Sequence, residues 1–309
     1  MTWGGDKVGL ALGGGGVRGF SHIGVLKVLE QERITIDLIV GTSAGALIGG
    51  AYASGQSPEE IEAKVDAYLM SPEFEESALK SLGLAVSPQK RGFLAETELY
   101  LKNRYYLLRS FFRTSVLPAG DFEAMIDFFL PDMDIRQTRI PFRAVSTDLR
   151  TGARVVFSEG PLRRAILASC AVPGAVAPLE QGQRLLADGG ITSLVPVQAA
   201  REAGADVVIA VMVDRELAAA VTLETAQDIV TRAGEITASK LQETEIAGAD
   251  VVIRPQVGDL HWMDFSRAGD LVRQGEEAAR ASLKRIRAIQ PLSRRLSHWA
   301  GRFIKAAGR

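Results

Sequence analysis

The feature that most restricts the fold is the pentapeptide Gly41-Thr42-Ser43-Ala44-Gly45, approached through the largely apolar run Ile36 to Val40 and left through the helix-like stretch Ala44 to Ser54. Strand, sharp turn and helix follow one another without a linker. A serine at such a turn takes a strained backbone conformation, and glycines two residues away on each side remove the Cβ atoms that would collide there. The hydroxyl is thereby presented over the end of a sheet. The following helix aims its unpaired N–H groups and positive dipole end at the same place, which favours negative charge on a substrate oxygen. Ser43 is the candidate nucleophile.

A second glycine turn precedes it. Val8 to Leu12 reads as a strand that runs into Gly13-Gly14-Gly15-Gly16-Val17-Arg18-Gly19, after which Ile23, Val25, Leu26 and Leu29 mark a helix. Residues 14 to 19 fit Gly-x-Gly-x-x-Gly, a pattern shared with dinucleotide-binding turns. In that reading an acidic residue closes the second strand. Here Asp37 opens it, and its far end carries the serine turn. Set at the carboxyl ends of neighbouring parallel strands, the two turns face one crevice. The amides of Gly14, Gly15 and Gly16 then converge on a carbonyl oxygen as it becomes an oxyanion, a role worth roughly 3 kcal/mol per good donor. Arg18 adds positive charge nearby.

Downstream, Pro58 to Met70 reads as a helix with Ser57 as its N-cap and Glu60 completing a capping box. Residues 71–131 lose the strand signals and crowd Phe74, Phe93, Tyr100, Tyr105, Tyr106, Phe111, Phe112, Phe122, Phe128 and Phe129 among Arg91, Lys102, Arg104, Arg109 and Arg113. The expectation is a helical insertion, either a cap that binds acyl chains or a helical layer of the core. From Pro141 the sheet resumes with Phe142 to Ser146 and a hairpin partner, Ala153 to Phe157. Leu162 to Ser169 is a helix, and Arg184 to Ala187 is a strand delivering Asp188-Gly189-Gly190. Val207 to Val213 and Asp250 to Ile253 are further strands, with helices at 196–203, 223–247 and 269–288.

A neutral serine needs a base within hydrogen-bond reach. The chain has three histidines, His22, His261 and His298. The α/β-hydrolase order would nominate Ser43, Asp188 and His261, but that fold places its serine after several βα units, and here one precedes it. His22 follows the glycine loop and is expected to orient its backbone. That leaves a carboxylate. Asp188 ends a strand and is followed by two glycines that let the chain turn away. Asp148, in Asp148-Leu149-Arg150-Thr151-Gly152, has the pattern of a turn residue bonding its own backbone. Burial in an apolar crevice would raise the pKa of Asp188 and suit it to take the serine proton. Cys170 has no activating neighbour in sequence and reads as a packing residue.

A net charge of −1 argues against a generic nucleic-acid binder. A single cysteine excludes an intramolecular disulfide and fits a reducing compartment. With neither an export signal nor a run of about 18 apolar residues, the expectation is a cytoplasmic protein that does not span a membrane.

The glycine loop 13–19, the Gly41–Gly45 elbow and Asp188-Gly189-Gly190, in this order, resemble the patatin-like phospholipase family, in particular its bacterial branch related to neuropathy target esterase. The likeness continues through Ser21-His22-Ile23-Gly24-Val25-Leu26, Thr147-Asp148-Leu149, Ala168-Ser169-Cys170-Ala171-Val172-Pro173-Gly174 and Gly204-Ala205-Asp206-Val207-Val208. It implies a three-layer α/β/α hydrolase domain over residues 1–290, with a mainly parallel central sheet and a helical cap at 71–131. It also implies a Ser43–Asp188 catalytic dyad, an oxyanion hole of Gly14, Gly15, Gly16 and Arg18, and supporting turns at Gly13, Gly19, Gly41, Gly45, Gly189 and Gly190. The implied reaction is hydrolysis of a phospholipid or lysophospholipid ester without metal or cofactor. After Asp-Gly-Gly this chain carries Ser193 and Leu194 where the family often has Asn and Pro. The alternatives are a generic carboxylesterase, or a lipid- or nucleotide-binding protein that keeps the loop without catalysis.

Residues 291–309 form a separate basic tail. Leu292, Leu296, Trp299, Phe303 and Ala307 fall on one face of a helix, and Arg294, Arg295, Arg302, Lys305 and Arg309 supply charge with no acidic residue. That composition suits a segment lying on the inner membrane surface, and equally a stripe packed on the protein itself or on a second subunit.

Overall fold

A computed structural model of the chain describes residues 7–80, 115, 117–213, 217, 223–258 and 260–290. At its centre lies β1 (Val8–Leu12), paired in parallel with β2 (Leu38–Thr42) on one side and β7 (Val207–Val211) on the other. β8 (Val251–Ile253) extends the parallel set beyond β7, and β3 (Phe142–Asp148) extends it beyond β2. The remaining strands, β4 (Arg154–Phe157), β5 (Leu179–Gln181) and β6 (Arg184–Asp188), are antiparallel to their neighbours. The sheet is therefore mixed, with its parallel part in the middle and its antiparallel part at one end.

The central strands are apolar throughout because helices cover both faces. Successive side chains alternate between two cores. Leu10, Leu12, Ile39, Ile209 and Val211 join one core with Ile23, Val25, Ile48 and Val272. These come from α1 (Ser21–Gln31), α2 (Ala44–Ala53) and α9 (Ala268–Ile289). Ala11, Val40, Val208 and Ala210 face the other way, onto α7 (Val197–Glu202) and Ile246 near the end of α8 (Ala226–Ile246). This is the three-layer arrangement that the family resemblance implies.

The other helices follow their local signals. α3 (Pro58–Leu69) carries the capping box between Ser57 and Glu60. Within the aromatic stretch, α4 (Pro72–Glu76) and α5 (Ala119–Phe129) are described, whereas Phe93, Tyr100, Tyr105, Tyr106, Phe111, Phe112 and their basic neighbours lie outside the described residues. α6 (Leu162–Ser169) has the predicted bounds. Asp37 has a structural task that replaces the ribose contact of the dinucleotide reading. Its carboxylate accepts the Val8 N–H at 2.7 Å and its own N–H donates to the Val8 carbonyl at 2.8 Å, tying β2 to the start of β1.

Candidate active site

The strand-to-helix turn is as tight as the glycines require. Ser43 has φ 54° and ψ −125°, and the only other non-glycine residue with positive φ among the described residues is Arg33. Such a conformation costs of order 1–3 kcal/mol and persists only where the surroundings enforce it. A Cβ on Gly45 would lie 2.2 Å from the Leu12 carbonyl oxygen, and one on Gly41 would lie 2.5 Å from the Ala46 Cα. Hydrogen bonds complete the enforcement. The Ser43 N–H donates to the Ser169 hydroxyl at 2.9 Å, the Ser43 carbonyl accepts from Ala46 and Leu47, and the Thr42 hydroxyl donates to the Ser193 carbonyl at 2.9 Å.

Asp188 reaches Ser43 through strand register. Along one edge of β3, β2 pairs up to Val145, opposite Thr42; at the next residue, Ser146, the antiparallel β6 takes over the edge with Asp188 as its partner. The last residue before the nucleophile and the aspartate thus face adjacent positions on one strand. Asp188 is buried, and its Oδ1 accepts the Gly190 N–H at 2.7 Å. Burial pushes its pKa up to about 6, against the opposing pull of the Ser43 hydroxyl and the Gly190 N–H. Ser43 lies near enough to favour the charged carboxylate, yet the buried Oδ2 accepts no full hydrogen bond. The site therefore holds a half-satisfied carboxylate beside a hydroxyl.

Cys170 stands at the same point. Its buried thiol contacts Ser43, and burial together with the nearby Asp188 charge raises its pKa well above the ordinary range, so it is a neutral neighbour. Asp148 behaves as the turn residue its sequence suggests. It accepts from Arg150 N, Leu185 N and the Thr151 hydroxyl, and the Thr151 bond leads the causes that hold its carboxyl below the usual range.

The glycine loop is fixed more fully than its sequence implies. Gly13 N–H donates to Val211 O at 3.0 Å and Gly14 N–H to Leu194 O at 2.9 Å. The expectation that Gly14 offers its amide to a substrate oxygen is corrected on this point, because a spent donor braces the loop. Gly16 lies on the cavity wall beside Ser43. Arg18 is buried, and its Nε donates to the Gly15 carbonyl at 3.0 Å, so it ties the loop to the turn that follows. His22 is fully buried and its Nε2 donates to the Gly13 carbonyl at 2.8 Å; burial lowers its pKa to about 4. It orients loop backbone, as expected. His261 lies in the turn before Asp264, where its Nδ1 accepts the Met263 N–H at 3.3 Å, and His298 lies outside the described residues.

From Ser43 an apolar cavity of about 100 Å³ opens, in part continuous with solvent. Its walls are Leu47 and Ile48 of α2, Val65, Tyr68 and Leu69 of α3, Phe122, Met125 and Phe129 of α5, and Trp262 and Phe265, with no charged side chain among the described lining residues. The described part of the aromatic insertion thus lines this space. Among the described residues, no helix is long and apolar enough to cross a membrane.

Two residues escaped the sequence reading. Ser169 holds the nucleophile's N–H, and Glu245 binds the segment following the Asp188 turn. Ser169 is fully buried and Glu245 half-buried, and neither burial nor a partner distant in sequence is visible in a local pattern.

A strained serine on a β-to-α elbow is thus set against a buried aspartate and a braced glycine loop in an α/β fold with helices on both faces of its sheet. Comparison with known proteins then places the chain. Residues 10–201 match the family model described as patatin-like phospholipase, and the chain belongs to that family. It is 36% identical over 205 residues to an uncharacterized NTE family protein of Mycobacterium tuberculosis, covering 66% of this chain and 48% of the relative. It is 32% identical over 209 residues to patatin-like phospholipase domain-containing protein 6 of Homo sapiens, covering 67% of this chain and 13% of that protein. The chain thus spans about half the length of the mycobacterial relative and a small part of the human one. Among solved structures, VipD from Legionella pneumophila aligns with a TM-score of 0.47 and 14% identity, over 91% of this chain and 67% of that one.

Proposed function

We propose that the protein is a serine lipid acyl hydrolase that cleaves the carboxylic ester of a phospholipid or lysophospholipid through an acyl-enzyme on Ser43. The observation that carries this reading is the strained Ser43 beside the buried Asp188, whose Oδ2 lacks a full partner, at the mouth of an apolar cavity. Family membership supports a lipid ester as substrate class.

In this mechanism the acyl chain occupies the cavity and its carbonyl carbon rests on Ser43. Ionised Asp188 takes the hydroxyl proton as Oγ adds to that carbon, and the carbonyl π electrons move onto oxygen. The amides of Gly15 and Gly16 and the N-terminus of α2 face the resulting oxyanion. Arg18 acts on them indirectly, by gripping Gly15. Collapse re-forms the carbonyl and expels the alcohol, which leaves with the proton held by Asp188. Water then adds to the acyl-enzyme, giving a proton to Asp188, and a second collapse releases the carboxylic acid and returns that proton to Ser43. A pKa near 6 leaves Asp188 ionised at neutral pH while making it a stronger base than an exposed aspartate.

The same reading assigns residues 71–131 to a cap over the cavity and residues 291–309 to contact with an anionic membrane surface. A hydrolysis screen across diacyl phospholipids, lysophospholipids and short soluble esters, with Ser43→Ala as control, tests the proposal. Turnover of lipid esters by the native chain alone is expected. Turnover of soluble esters only would reduce the reading to a carboxylesterase, and equal turnover by Ser43→Ala would remove it.

A further inference from the structure

Three parts of the site hang on one short segment, Ser193-Leu194-Val195. The Thr42 hydroxyl, next to the nucleophile, donates to the Ser193 carbonyl at 2.9 Å. The Gly14 N–H of the glycine loop donates to the Leu194 carbonyl at 2.9 Å. The Ser193 N–H donates to the Gly189 carbonyl at 2.8 Å, which closes the turn that carries Asp188. The segment thus sets the elbow, the loop and the aspartate against one another, although none of its side chains is needed for the chemistry.

What holds the segment comes from a distant helix. Near the end of α8, Glu245 accepts from the Ser193 hydroxyl through Oε1 and from the Val195 N–H at 3.1 Å through Oε2, and the Leu194 N–H also faces its carboxylate. Ser193 and Val195 are fully buried and Glu245 is half-buried, so losing the carboxylate leaves these inner donors without their protein acceptor. α8 itself is mostly exposed and rests on the body near its C-terminal end, through Gln242 and Ile246. A carboxylate that receives both a side-chain hydroxyl and a main-chain amide fixes the position and the rotation of the segment.

We infer that Glu245 is a positioning residue for catalysis, gripping Ser193 and Val195 so that the segment holds the glycine loop and the Ser43 elbow in register with Asp188. The inference rests on the hydrolase reading above. Displacement of catalytic parts by about 1 Å costs on the order of 100-fold in rate.

The test uses the full chain with a soluble short-chain ester and measures kcat and KM separately. Glu245→Ala is expected to lower kcat about 10- to 100-fold with KM within about twofold. Glu245→Gln, which keeps one acceptor oxygen, is expected to restore part of the loss. Ser193→Ala removes one arm of the grip and serves if Glu245→Ala fails to fold; combined with Glu245→Gln it should cost less than the sum of the two, since both act on one contact. Amide hydrogen exchange supplies an arm independent of activity, in which the Gly14 and Val195 amides exchange faster in either variant while those of β1 stay protected. An unchanged kcat in folded Glu245→Ala, or unchanged exchange at Gly14, overturns the inference. If the native chain cleaves no ester, the hydrolase reading fails, and the exchange arm still decides whether Glu245 holds the segment.

Discussion

The Ser43 N–H donates to the Ser169 hydroxyl at 2.9 Å, and that hydroxyl passes the bond on to the Val145 carbonyl of β3 at 2.5 Å. One fully buried serine therefore anchors the strained turn to the strand that also carries the partner of Asp188. Replacing Ser169 by Ala strands a buried N–H, at about 1–3 kcal/mol of stability. We expect kcat to fall at least about tenfold, because the elbow can then relax toward an ordinary conformation. Denaturant unfolding and kinetics on the same preparation check both; a stability loss with unchanged kcat would mean that Ser169 only packs.

Asp188→Asn should remove activity and raise stability. The folded-state pKa is raised to about 6, above the ordinary value of 3.8, so the neutral carboxyl suits the fold. That favourable state is fully populated below about pH 4 and is lost as pH rises through 6, which leaves an ionised, buried group at pH 8. The cost is about 3 kcal/mol at most, the free-energy equivalent of moving the pKa from 3.8 to about 6. The neutral amide should therefore melt higher than the native chain at pH 8 and lose this advantage below pH 4. The proposed mechanism uses the ionised form as base, so kcat of the native chain should fall on the acid side of about pH 6. An acid limb centred below pH 4 would indicate a different base.

Much of this architecture was legible in the sequence because it is written in local chemistry. The Ser57–Glu60 capping box, the bounds of α6, the apolar runs of the central strands and the Ser43 elbow each depend on residues within a few positions of one another. Asp188 could be chosen because two glycines follow a strand. How it reaches Ser43 could not, since β6 takes over the edge of β3 only in the assembled sheet. The bond from Ser43 to Ser169 spans 126 residues and that from Ser193 to Glu245 spans 52, distances at which side-chain pairing leaves no periodic trace. Gly14 is the instructive case. Its place in a glycine run suggested a free amide, and a carbonyl 180 positions away takes it.

The cavity walls make a prediction about chain length. Met125 and Phe129 on α5 and Leu69 on α3 border the space that leads from Ser43. Met125→Trp adds bulk to that wall and should shift preference toward shorter acyl chains, leaving turnover of an acetyl ester nearly unchanged. An unaltered chain-length profile would place the acyl chain elsewhere and reduce α5 to a core layer.

Residues 291–309 carry the membrane part of the account. Deleting them should abolish sedimentation with anionic vesicles while sparing hydrolysis of a soluble ester. A truncated protein that unfolds, or that still sediments, would show the apolar stripe to be structural.

The central claim is that Ser43 is a nucleophile activated by Asp188. A fluorophosphonate probe, followed by mass spectrometry of the labelled peptide, addresses it most directly. The account predicts one adduct, on Ser43, formed at a rate that falls as pH drops through about 6 and lost in Asp188→Asn. A folded protein that takes no label, or one whose Ser43 reacts as fast in Asp188→Asn as in the native chain, would contradict it.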